Sequence, residues 1–188
     1  MKAWRLFATA VLMATCLSLA GCLVVFDQPL PTSDKAPAEM LGSWSSKNAW
    51  GEALELEISR VGPNHYKAVS FRKGDRKHRD EFDFTVARHG SRWYLCATLP
   101  EPYGARYAVA GFEISKPGDV DELVVYGLDA ERIQQLVDQN TLAGQTLETD
   151  KGEGILVTSP LDRVFAYLDD PANSDVFLKA ARYQRMPQ

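Results

Sequence analysis

The strongest constraint on this chain is a succession of short apolar runs with a period of two, cut at regular intervals by turn residues. Leu54, Leu56 and Ile58 alternate with Glu55, Glu57 and Ser59. Successive side chains on a strand point to opposite faces, so such a run buries one face and wets the other. Gly62-Pro63-Asn64 interrupts the pattern and Tyr66 to Phe71 resumes it. Phe82, Phe84 and Val86 alternate with Asp83, Thr85 and Ala87, His89-Gly90-Ser91 turns the chain, and Trp93 to Thr98 returns. Tyr107 to Ser115 and Leu123 to Leu128 add two more runs around Lys116-Pro117-Gly118-Asp119. Breakers at hairpin spacing predict an antiparallel meander.

After residue 128 the period changes. Asp129 is a good N-cap, Glu131 suits the first turn, and Ile133, Leu136 and Val137 share one helical face, with Asn140 placed to end the helix. A short strand is expected around Ile155 to Thr158. Ser159-Pro160-Leu161-Asp162 reads as a second helix start, with Leu161, Val164, Phe165 and Leu168 as its buried stripe, and Val176 to Ala181 as one or two further helical turns. The fold class is therefore mainly β (α+β). About seven or eight antiparallel strands form a small barrel or a strongly curved sheet, with two or three late helices, because closure removes exposed strand edges. A two-layer sheet with helices on one face is the alternative.

The N-terminus carries a different signal. Lys2 and Arg5 precede an apolar stretch from Leu6 to Leu19, no acidic residue occurs before Asp27, and the stretch ends in Leu19-Ala20-Gly21-Cys22. The set resembles the lipobox of bacterial lipoproteins. The resemblance implies cleavage between Gly21 and Cys22, a diacylglycerol thioether on Cys22, and acylation, typically by palmitate, of the new amino group. Residues 1–21 would be the signal peptide, 22–40 a lipidated, flexible tether rich in Pro29, Pro31 and Pro37, and 41–188 a single β-rich domain. By the same resemblance Leu23, the residue after the cysteine, favours the periplasmic face of the outer membrane over the inner membrane. The rival is an uncleaved signal anchor, because the uncharged run continues from Leu6 to Phe26.

Removal of residues 1–21 leaves 19 basic against 25 acidic residues, an acidic balance that disfavours general nucleic-acid binding. Of the three cysteines, Cys16 leaves with the leader and Cys22 takes lipid, so Cys96 has no intramolecular disulfide partner. Its place in Trp93-Tyr94-Leu95-Cys96 reads as a small buried residue rather than a reactive thiol.

Gly42-Ser43-Trp44, at the start of the first strand of the meander, resembles the G-x-W of lipocalins. In that family the Trp closes one end of the barrel and a late Arg packs across it. The resemblance implies this role for Trp44, with Arg163, Arg182 or Arg185 as the Arg. The second lipocalin motif, a T-D-Y-like turn, is missing, and the helix at Asp129 interrupts the strand order.

No catalytic motif is complete. Ser70-Phe71-Arg72-Lys73 matches S-x-x-K but lies at a strand end, which separates the two side chains, and no K-T-G or S-D-N accompanies it. His65, His78 and His89 lack metal-ligand spacing. Glu55-Glu57 and Asp169-Asp170 read as solvated carboxylates. No cofactor or metal is expected. Arg72, Lys73, Arg76, Lys77, His78 and Arg79 form a basic stretch within an acidic chain. It suits anionic lipid or an acidic envelope protein, or else it is a solvated hairpin. Trp44, Trp50, Trp93, Tyr94, Tyr103 and Tyr107 either line an apolar ligand pocket or fill the core. The expectation is a lipid-anchored, non-enzymatic binding or scaffolding module of the bacterial cell envelope. The alternative is a lipocalin-like carrier of a small apolar ligand or lipid.

Overall fold

The computed structural model describes residues 23–32, 35–47, 51–150 and 152–187. Among these, eight antiparallel strands close a barrel. They are β2 (Gly42–Lys47), β3 (Ala53–Gly62), β4 (His65–Arg72), β5 (Asp75–His89), β6 (Arg92–Thr98), β7 (Tyr107–Ser115), β8 (Glu122–Leu128) and β11 (Phe177–Arg185). Seven follow one another as hairpins, as the alternating runs predict. β11 completes the ring by pairing with β8 along Phe177–Gln184 and with β2 at Gln184↔Ser45 and Arg185↔Trp44.

β11 corrects one expectation. Val176 to Ala181 reads locally as helix because Leu, Lys and Ala are good helix formers. In the fold, however, β8 and β2 would each be left with a row of unpaired backbone groups. One strand between them satisfies both, and a bulge between Lys179 and Ala181 adjusts its register.

The lumen is a packed core. Trp44, Leu56, Ile58, Tyr66, Phe84, Val86, Phe112, Leu123 and Tyr183 form one buried cluster, with Trp93, Leu95, Ile114 and Val125 against it. These are the inward positions of the period-two runs. Tyr66 and Phe84 stack at 5.6 Å, and Trp93 lies 6.1 Å from Phe112.

A second layer covers the outside of β5, β6 and β7. It contains β1 (Leu23–Phe26), β9 (Gly144–Thr149), β10 (Gly152–Val157), α1 (Ala130–Asp138) and α2 (Leu161–Leu168). β1 runs parallel to β10, from Leu23↔Gly154 to Phe26↔Val157, and β10 pairs with β9. β8 leaves β7 after Tyr126↔Gly111, and β1 takes the vacated edge at Val25↔Ala108 and Phe26↔Tyr107. Tyr94, Cys96 and Val109, the outward residues of the wall, meet Ile133, Leu136, Ile155, Val164, Phe165 and Leu168 in one buried cluster.

This layer corrects the expected tether. Val24, Val25, Phe26, Leu30 and Met40 are buried, Ala36 N–H donates to the Tyr66 hydroxyl at 2.9 Å, and the Asn64 amide donates to Thr32 O at 2.7 Å. The segment has no apolar period because it holds only a four-residue strand and a single 3-10 turn, Ala38–Met40. Single residues plug into the core instead, Leu30 into the outer cluster and Met40 into the lumen, and the prolines keep the chain between them extended.

Asp129 caps α1 as expected, accepting from Glu131 N–H at 2.9 Å and Arg132 N–H at 3.2 Å. Ser159 does not cap α2. Its hydroxyl oxygen accepts from Ala143 N–H at 2.6 Å, tying β10 to the end of α1, and Pro160 takes the cap position.

Candidate functional site

One polar site lies at the end of the barrel where β2 begins and β11 ends. Trp44 is fully buried and its indole N–H donates to Met40 O at 3.0 Å. The Arg185 guanidinium lies 4.2 Å from the centre of the Trp44 ring, a contact worth about 0.5–2 kcal/mol. Arg185 also donates from Nε to Asp121 at 2.7 Å, from Nη1 to Leu41 O at 2.9 Å, and from Nη2 to Glu39 O. Gly42 is required here. Its φ is +114°, and a Cβ would meet Arg185 Nη1 at 3.0 Å. Of the three arginines that the sequence offers, Arg185 is the one that packs across Trp44, whereas Arg182 faces Glu122 at 3.4 Å and Arg163 reaches Asn140 O. Asp121, in the turn between β7 and β8, has no counterpart in the sequence reading. Nothing in its local pattern marks it as the carboxylate that holds Arg185.

The basic stretch forms the tip of the β4–β5 hairpin. β5 pairs with β6 only from Phe84 onward, so Asp75 to Asp83 extend past the end of β6 and pair with β4 on their other edge. That is roughly 30 Å of strand. Much of the charge is matched locally. Arg76 pairs with Glu57 at 2.6 Å, Arg79 with Glu81 at 2.8 Å, Arg72 with Glu52 at 3.6 Å, and His78 with Asp75 at 2.8 Å. Lys73 and Lys77 form no ion pair among the described residues. The Arg79 hydrogen bond, then the Lys67 one, hold the Glu81 carboxyl below its ordinary range. Partial burial pushes Asp80 up.

Other sequence candidates separate. Ser70 sits inside β4 and Lys73 in the turn beyond it, where its N–H donates to Ala53 O. Glu57 serves Arg76 rather than Glu55. Cys96 is buried, accepts from Leu30 N–H at 3.4 Å, and burial pushes its thiol pKa up. Trp44 and Trp93 belong to the lumen, while Tyr94 and Tyr107 belong to the outer cluster and Tyr103 to a third, so these aromatics do not line one pocket. Trp50, Gly21 and Cys22 lie outside the described residues.

The sequence misses one polar cluster. Asp169, at the end of α2, meets His89 Nδ1 and accepts from the Tyr94 hydroxyl at 3.2 Å. The His89 ring stacks on Phe165 at 4.3 Å. Burial first, then the Asp169 charge, push the Tyr94 phenol well above its ordinary pKa, so it stays a donor. Gly90 lets the turn approach, since a Cβ there would meet the Asp169 carboxylate at 3.0 Å. Asp169 is thus a latch between the barrel and the outer layer rather than a solvated carboxylate. Among the described residues, no serine, cysteine or threonine hydrogen-bonds to His89. Separation by 80 residues hides it from any local pattern.

No protein family, curated protein or solved structure matches this chain.

Proposed function

We propose that the chain is a bacterial cell-envelope lipoprotein, anchored through acyl groups on Cys22, whose barrel is a non-enzymatic binding or scaffolding module on the periplasmic face of the outer membrane. One observation carries the reading: Leu23–Phe26 is a buried strand of the folded domain. With β1 in the sheet, the uncharged stretch left for a membrane segment is Leu6 to Cys22, 17 residues. That is short of the roughly 20 needed to span a bilayer, so the leader fits a cleaved signal peptide better than a signal anchor.

β1 begins at the residue after Cys22, so no tether would separate acyl chains from the outer layer of the folded domain. The module would rest at the lipid surface. Two or three chains hold it there, because each buried CH₂ contributes about 0.8 kcal/mol. β1 runs antiparallel to β7, and its Leu23 end lies toward Ser115, whereas the β4–β5 tip extends past the Tyr107 end. Anchor and basic tip therefore leave the barrel in opposite senses. This suits the tip to an acidic envelope protein better than to the anchoring leaflet.

A second reading, a lipocalin-like carrier, draws support from Arg185 over Trp44 at the barrel end. The side chains that occupy the lumen weigh against it. Expression of Cys22→Ala in a Gram-negative host tests the main reading. The wild type should take up labelled palmitate and fractionate with the outer membrane, whereas the variant should carry no label and retain its leader. A variant processed normally would refute it.

A further inference from the structure

A groove of about 360 Å³ crosses the outer wall where β8 leaves β7. Its floor is Gly111, and Arg92, Glu113, Tyr126 and Phe177 stand around it. Gly111 lies in mid-strand without a positive φ, and a Cβ there would meet Phe177 at 3.5 Å and Tyr126 at 3.8 Å, both ordinary contacts. Neither backbone nor packing demands glycine, although glycine weakens a strand by about 0.5–1 kcal/mol relative to alanine. A strand glycine often marks a bulge, a tight bend at a barrel corner or the close approach of a ligand or another backbone, and the groove that Gly111 lines fits the last of these.

The charges point the same way. Trp93 and Phe112 are paired across β6 and β7, and one step further the register sets Arg92 opposite Glu113. Opposed charges at such positions ordinarily join. Here they form no ion pair with each other. The Arg92 guanidinium stacks over Phe177 at 4.7 Å, and Glu113 accepts from the Tyr126 hydroxyl at 3.0 Å. Burial first, then this bond, push the Tyr126 phenol pKa up, which keeps it a donor to Glu113. A cation and an anion are each held by a separate aromatic partner, and the groove between them is lined by Gly111, with the Phe177 ring in ordinary contact range of its Cβ position.

We propose that this groove binds a small zwitterion, an amine joined through a few atoms to a phosphate or carboxylate. The ammonium group lies on Glu113, the anionic group on Arg92, and the linking atoms on Gly111. Such a molecule is either a free metabolite or the headgroup of a lipid. The inference does not depend on the acyl anchor.

Titration calorimetry of the purified full chain in nonionic detergent tests it, with O-phosphoethanolamine, glycerophosphoethanolamine and β-alanine as probes. At least one should bind, and ethanolamine or inorganic phosphate alone should bind about tenfold or more weakly, because each offers half of the contacts. Arg92→Gln and Glu113→Gln should each weaken binding about tenfold, and Gly111→Val should abolish it. If Gly111→Val does not fold, Gly111→Ala should still weaken binding. Preference for the glycerophosphodiester identifies a lipid headgroup, and preference for the other two a free molecule. Absence of heat from all three at tens of millimolar, undiminished binding by a folded Gly111 variant, or equal binding of phosphate alone would each overturn the proposal.

Discussion

The barrel wall and the layer outside it are built on opposite principles. β2 to β8 follow one another as hairpins, so almost every pairing in the wall is between neighbours in sequence, and β11 alone returns from a distance. The outer layer joins β1, at the start of the described chain, to β10, some 130 residues later, through one parallel pair. It then rests on the wall through the short β1–β7 pairing, apolar contacts and the His89–Asp169 latch. Local hairpins make the wall cooperative. The outer layer depends on a four-residue strand, so it is the part expected to open first.

That difference is testable, beginning with the wall. Trp44→Ala should cost about 3–5 kcal/mol, because it empties a fully buried indole site and leaves Arg185 without its stacking partner. Urea unfolding should shift as one transition for both regions. Val25→Asp, at a fully buried position of β1 against Leu99 and Leu156, should cost about 3 kcal/mol but in the outer layer. Hydrogen exchange should quicken at Ile155 to Val157 while β3 and β4 stay protected. Equal loss in β3 and β4 would erase the distinction between the regions. Arg185→Lys keeps the charge and loses the fork that reaches Asp121, Leu41 and Glu39 together, for about 1–2 kcal/mol.

Smaller effects sharpen the comparison further. The Cys96 thiol lies between wall and outer layer, and its raised pKa leaves little thiolate at neutral pH. Alkylation of the native protein should be slow and should accelerate in Val25→Asp, which would mark the outer layer as the route of access. Asp80 gives the smallest effect. Burial disfavours its ionised form, so the stability linked to its protonation is present below the carboxylate range and is lost as pH rises through it. Asp80→Asn should therefore flatten that decline slightly, measured by thermal melts across pH.

The wall was legible in the sequence because its evidence is local. Leu56 and Ile58, Phe84 and Val86, and Leu123 and Val125 all alternate with outward residues and all face the lumen. The helix at Asp129 was legible for the same reason, through its cap. β11 was not, since its Leu178, Lys179 and Ala181 favour helix and only the two waiting edges make it a strand. β1 was hidden inside an apolar run whose beginning has another explanation. Trp44 was marked by its G-x-W, but Asp121, which completes the closed end, and Asp169, which latches the outer layer, are ordinary acidic residues until the fold brings their partners to them.

The role of β1 meets the proposed anchor at the bond between Cys22 and Leu23. Intact mass spectrometry of the chain extracted from bacterial membranes tests that junction most directly. A mass that begins at Cys22 and carries two or three acyl chains is expected. A chain that retains residues 1–21, or that starts elsewhere without lipid, would contradict it.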